Sequence, residues 1–117
     1  VFHVRTDTTL DVVFFRMESV NEPVREWVRG LRKTDKRVIG SDIKTVQYGW
    51  PIGMPVVRKL DTGLWEVRSR LDQRISRILF TVHGDTMVLL HGFIKKSQKT
   101  PKEDLQLAKD RKANLEK

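Results

Sequence analysis

The stretch GLWEVRSRLDQRISRILFTVHGDTMVLLHGFIKKSQKTP, Gly63 to Pro101, decides the fold. Three segments rich in β-branched and aliphatic residues, GLWEVRSRL, ISRILFTV and TMVLLHGFIK, are separated by DQR and HGD, connections of hairpin length. VVRKL, joined to the first of them through DTG, adds another strand. An antiparallel meander is the expected result.

Side chains alternate across a strand. In GLWEVRSRL, Trp65, Val67, Ser69 and Leu71 therefore share one face, and Glu66, Arg68 and Arg70 the other. In ISRILFTV the same division sets Ser76, Ile78, Phe80 and Val82 against Ile75, Arg77, Leu79 and Thr81. The first face of the meander is expected to be core and the second wet, so Arg77 can join Arg68 and Arg70 in the open. TMVLLHGFIK is apolar on both faces through Leu90, which suits a central strand. Its polarity begins at His91, and Lys95, Lys96 and Lys99 follow at the strand end and in the loop before a helix. Arg58 and Lys59 of VVRKL add two further cations. The expected site is a sheet face rimmed by lysines.

Charged residues on the wet face of an antiparallel sheet are ordinary, and solvation alone accounts for most such sets. What points to a bound anion is the same sign recurring across adjacent strands, because like charges side by side repel unless an anion lies between them. Glu66, the lone acid there, can offset only one of them.

Upstream, DVVFFRME, Asp11 to Glu18, has the composition of a strand. Val24, Trp27, Val28 and Leu31 then recur at helical spacing, with Asn21 as an N-cap and Pro23 in the first turn. A second helix, about Thr34 to Tyr48, sets Val38, Ile39, Ile43 and Val46 on one side. The two form a helical hairpin, and YGWPIGMP is a loop. Downstream, Thr100 is the expected N-cap of a polar C-terminal helix opened by Pro101, with a thin apolar stripe of Leu105, Ala108 and Leu115. The opening VFHVRTDTTL, residues 1–10, shows no clear period and is expected to be a flexible leader.

At 117 residues the chain is expected to be one domain spanning residues 1–117. Lysine and arginine outnumber acids 23 to 15, for a net charge of +8 and a pI near 10.1, which favours a polyanionic partner. The absence of cysteine excludes disulfides and thiolate zinc sites and permits a reducing cytoplasm. No apolar run approaches a membrane span, so the expectation is a soluble, cytoplasmic protein with no membrane partner. His3, His83 and His91 lack metal-ligand spacing, so neither metal nor cofactor is expected. Trp27, Trp50 and Trp65 fit core packing better than base stacking. No phosphate-binding glycine loop, nucleophile elbow or carboxylate pair is present.

With WEVR, ISRILF and LLHGFIKKSQKTP in that order, the chain from about Asp11 resembles the RelE/ParE superfamily of toxins from type II toxin–antitoxin systems, most of all its HigB-like, phage-derived branch. The resemblance implies an α+β, RelE-like fold: an antiparallel sheet, mixed at the N-terminal strand, packed on an N-terminal helical hairpin, with a C-terminal helix. It implies a ribosome-dependent mRNA endonuclease, an mRNA interferase that arrests translation. It also implies a helix-turn-helix antitoxin, HigA-like, and operator DNA bound through the toxin–antitoxin complex. Carried over by position, the catalytic set is Arg68, Arg77 and Lys95 or Lys96. Arg70, Lys99, Arg58, Lys59 and His91 are the residues expected to bind substrate.

Cleavage through the 2′-hydroxyl needs a proton removed, charge stabilised on the phosphate, and a proton given to the leaving 5′-oxygen. Arg68 and Arg77 suit the second task, because the guanidinium fork donates to two phosphate oxygens. Lys95 or Lys96, crowded by cations, suits proton transfer. Two departures stand out: compact members carry lysine where Arg68 stands and often a tyrosine near the C-terminus, whereas the one tyrosine here is Tyr48. Superfamily members that inhibit gyrase without cleaving RNA, and plain nucleic-acid binding, are the competing functions.

Overall fold

A computed structural model describes residues 9–96 and 98–116. Strand β1 (Asp11–Phe14) leads, followed by helices α1 (Pro23–Arg29) and α2 (Lys33–Gly49). Strands β2 (Val57–Asp61), β3 (Leu64–Leu71), β4 (Arg74–His83) and β5 (Thr86–Lys95) come next, and helix α3 (Lys102–Leu115) closes the chain. The result is α+β with a five-stranded mixed sheet in the order β1-β5-β4-β3-β2. This corrects the expectation of an N-terminal helical hairpin. A strand comes first, pairs in parallel with β5, and places α1 and α2 inside the β1-to-β2 connection. A parallel pair cannot be joined by a tight turn, and here α1, α2 and the strands β2 to β4 all lie between β1 and β5 in the chain, the helices carrying it from one edge of the sheet to the other.

The helices sit on opposite faces of the sheet. On one, Val24 of α1 and Ile39 and Val46 of α2 bury against Val57, Val67, Ile78, Phe80 and Leu89. Trp50, in the loop after α2, meets Trp65 edge-on at 4.9 Å, which makes it a core residue. Gly92 of β5 sits under the Trp27 ring, where a Cβ would lie 2.6 Å from the nearest ring carbon. A glycine there is what lets α1 approach β5 closely.

The second face was expected to be wet, and the structure covers much of it. Leu105, Ala108 and Leu115 of α3 pack with Leu64, Leu79, Val88, Leu90 and Phe93. Glu66 and Arg77 are consequently 0% exposed. A thin apolar stripe is enough to dock α3 because Arg111 anchors it, donating to the Leu90 carbonyl at 2.7 Å. Burial lowers the pKa of that guanidinium.

Helix starts also differ from expectation. Glu22, Arg32 and Pro101 are the N-caps of α1, α2 and α3, and none makes a side-chain capping bond. Asn21 and Thr100 lie one residue too early. Val38, placed on the apolar side of α2 by its spacing, is exposed. Among the described residues no helix is long and apolar enough to cross a membrane. Most of the expected leader, and His3 with it, lies outside the described residues.

Candidate functional site

Directly paired residues of neighbouring strands point to the same face, so the register assembles the site. Arg68 of β3 lies opposite Arg77 of β4, and Arg58 of β2 opposite Glu66. Arg70 pairs with Ile75, which pairs in turn with Lys95; Leu79 pairs with His91, and Arg77 with Phe93. Arg58, Arg68, Arg70, Arg77, His91 and Lys95 therefore share the α3 side of the sheet. Lys59 is left out: it pairs with Trp65 and belongs to the hairpin side. Lys96 follows β5 and lines a cleft of about 250 Å³ with Arg70 and Arg74.

His91 reaches this face through a β-bulge. The β4–β5 register shifts between Leu79 and Phe80, whose partners are His91 and Leu89, so Leu90 is the extra residue. Bulges re-aim side chains in this way. Nε2 of His91 lies 2.6 Å from an Asp104 carboxylate oxygen in the first turn of α3, and Lys95 Nζ lies 3.5 Å from the other oxygen. Phe93 sits among these groups: His91 stacks on it at 5.7 Å, and Arg77 and Lys95 each lie 5.8 Å from its centroid. Cations at that distance gain modestly from the ring face.

The arginine pair is held from below and from above. Glu66 accepts from Arg68 Nη1 at 2.9 Å and from the Thr100 hydroxyl at 2.7 Å. Arg68 Nη2 donates to the Gln98 side-chain oxygen at 3.0 Å. Arg77 donates to the Lys99 carbonyl at 2.7 Å. Arg58 approaches the Gln98 carbonyl at 3.5 Å. Burial lowers the Arg77 pKa; the Glu66 carboxylate opposes that shift, while Arg68 and Arg58 add to it. Lys99 thus meets the expected site through its backbone.

Gln98, Thr100 and Asp104 are participants that sequence reasoning missed, whereas Glu66 was placed on this face as its lone acid. Asp104 was visible only as an acid in a helix first turn, and Thr100 only as a cap. Gln98 carried no signal. Among the described residues no three histidine, aspartate or glutamate side chains gather as a metal site. His83 faces Glu116 at 3.8 Å, away from His91.

Chemically, a cross-strand guanidinium pair beside an imidazole–carboxylate pair offers phosphate recognition next to a proton-transfer group. No curated protein matches the sequence. The profile of the family described as "Phage derived protein Gp49-like (DUF891)" matches residues 26–113, from within α1 to within α3, so it takes in every arginine, lysine and carboxylate of this face. By that match the chain belongs to the Gp49-like phage-derived family, a family of RelE/ParE-like toxins tied to toxin–antitoxin systems.

Proposed function

We propose that the protein is a HigB-like toxin that arrests growth by cleaving mRNA on the ribosome, with the α3 side of the sheet as its active surface. One observation carries the reading: Arg68 and Arg77 are direct cross-strand partners, on the same face as Arg58, Arg70, His91 and Lys95. Guanidiniums so placed suit a phosphodiester, whose charge rises as the 2′-oxygen attacks. Arg68 and Arg77 hold the phosphate, and Lys95 or Lys96 carries the proton, with no metal or cofactor in the reaction. Arg58, Arg70, His91 and Lys99 contact the RNA. Lys59, on the other face, supports binding only through the overall field.

The partners follow from the same reading. A helix-turn-helix antitoxin, HigA-like, silences the toxin, and the surplus of basic charge helps their complex sit on operator DNA. The site of action is the cytoplasm, where the ribosome is.

Induced expression in a growing culture tests this. Wild type should stop growth and create new mRNA 5′ ends inside translated frames. In the double variant Arg58→Ala/Arg70→Ala both changes fall on exposed side chains, so the fold is kept, and cleavage should weaken by roughly tenfold to a hundredfold. Full toxicity in that variant would remove the basic face from the mechanism.

A second reading has its own support. Arg77 is fully buried and donates to a main-chain carbonyl, as a structural arginine does. On that reading the chain blocks a protein target such as gyrase without cutting RNA. DNA-damage signalling on induction, with intact mRNA, would establish it.

A further inference from the structure

The donors that would grip a phosphate are occupied by the chain itself. Between the end of β5 and the start of α3, the Gln98 side-chain oxygen accepts from Arg68 at 3.0 Å, and the Lys99 carbonyl from Arg77 at 2.7 Å. Arg58 and Arg68 also approach the Gln98 carbonyl, each at 3.5 Å. Three oxygens from two adjacent residues thus converge on the fork, much as the oxygens of a phosphate group would.

We propose that Gln98 and Lys99 are an internal ligand of the arginine fork, so that the anion site rests closed and a phosphodiester opens it by displacing their oxygens. The inference rests on the reading of this face as a phosphodiester site and concerns how that site is regulated.

Three observations carry it. The first is charge. Arg58, Arg68 and Arg77 converge here, and Glu66 is the carboxylate that Arg68 engages; Asp104 faces His91 and Lys95. Carbonyl oxygens are neutral acceptors, so they satisfy the donors without balancing the charge. A phosphodiester would do both, and charge-assisted bonds are the stronger ones.

The second is cost. Gln98 and Lys99 are exposed, whereas Glu66 and Arg77 beneath them are fully buried. Lifting the two residues uncovers little apolar surface, and water can take over their freed carbonyls. The third is the tether. Thr100 is fastened to buried Glu66 at 2.7 Å, and Pro101 and α3 follow at once. Opening is thereby confined to a short segment, and closing returns the same oxygens to the same donors.

A closed resting state lowers apparent affinity in proportion to the open fraction. Removing one internal acceptor should therefore strengthen binding, although it deletes a polar group beside the RNA. The experiment is fluorescence anisotropy with a labelled single-stranded 2′-O-methyl RNA oligomer, which cannot be cleaved through a 2′-hydroxyl. It compares wild type with Gln98→Ala. Gln98→Ala should bind about threefold to tenfold more tightly.

Unchanged or weaker binding by Gln98→Ala overturns the proposal, as does no binding by either protein. Cleavage on ribosomes is scored separately. If it fails while Gln98→Ala still binds more tightly, the nuclease reading falls and the internal ligand stands.

Discussion

Replacing Glu66 by glutamine tests what holds the arginine pair in place. The carboxylate is 0% exposed and accepts from Arg68 at 2.9 Å and Thr100 at 2.7 Å. In Glu66→Gln the new amide keeps the shape and an acceptor for Thr100 but loses the charge. Three guanidiniums would then converge without the carboxylate beneath them. Disrupting one side of a buried ion pair costs about 3–5 kcal/mol when the other charge is stranded, and the retained amide should hold the loss near 3 kcal/mol. An unfolding entropy of about 2.1 cal/mol/K per residue gives roughly 0.25 kcal/mol/K for this chain. The expected fall in Tm is therefore about 12 °C.

A double-mutant cycle with Arg68→Met isolates the pair. Urea unfolding of wild type, both single variants and the double should return a coupling of about 2 kcal/mol, because the double variant strands no charge on either side. A Glu66→Gln protein within about 0.5 kcal/mol of wild type, or a coupling near zero, would refute the claim that this ion pair supports the site.

Three further outcomes are expected. Gly92→Ala should cost roughly 2 kcal/mol or more in urea unfolding, since its Cβ would lie 2.6 Å from Trp27, and trimming Trp27 to leucine in the same chain should recover part of the loss. Arg111→Met keeps the packing of α3 but leaves the Leu90 carbonyl without its donor, a loss of about 1.5–3 kcal/mol by the same assay. Asp61 has its pKa lowered from 3.8 by the Lys109 hydrogen bond first, then by the Thr62 amide. A carboxylate lowered on folding stabilises above its unfolded pKa and ceases to as pH falls through the folded one. The Tm advantage of wild type over Asp61→Asn should be present at neutral pH and fade as the pH drops below 3.8.

The C-terminal strands were legible because alternation in GLWEVRSRL and ISRILFTV sorted Val67, Ile78 and Phe80 into one core. The same alternation misled for the opposite face. An arginine that faces water and one sealed beneath a loop occupy the same place in a two-residue period, and only the docking of α3 separates them. That docking rests on the stripe of Leu105, Ala108 and Leu115, visible in the sequence but too thin to signal that it covers a sheet face, helped by Arg111. The fold implied by the resemblance set the hairpin at the N-terminus although DVVFFRME already read as a strand before it; β1 is only four residues long and gains its place by pairing with β5, a contact across most of the chain. His91 was recognised as the onset of polarity in β5, but its partner Asp104 depends on the bulge at Leu90, which no local pattern marks. Lys59 was grouped with Arg58 as a neighbour in sequence, and the pleat sends it to the other face.

Whether this basic face cuts RNA is decided by one reconstituted reaction. Purified protein is added to ribosomes programmed with a defined mRNA, and the chemistry of the new RNA ends is determined. Attack by a 2′-hydroxyl leaves a 2′,3′-cyclic or 3′-phosphate upstream and a 5′-hydroxyl downstream. Those ends are expected within the translated frame, only when ribosomes are present, and far fewer of them with Arg58→Ala/Arg70→Ala. Intact mRNA at every protein concentration that arrests growth, or cuts that leave a 3′-hydroxyl and a 5′-phosphate, would contradict that expectation.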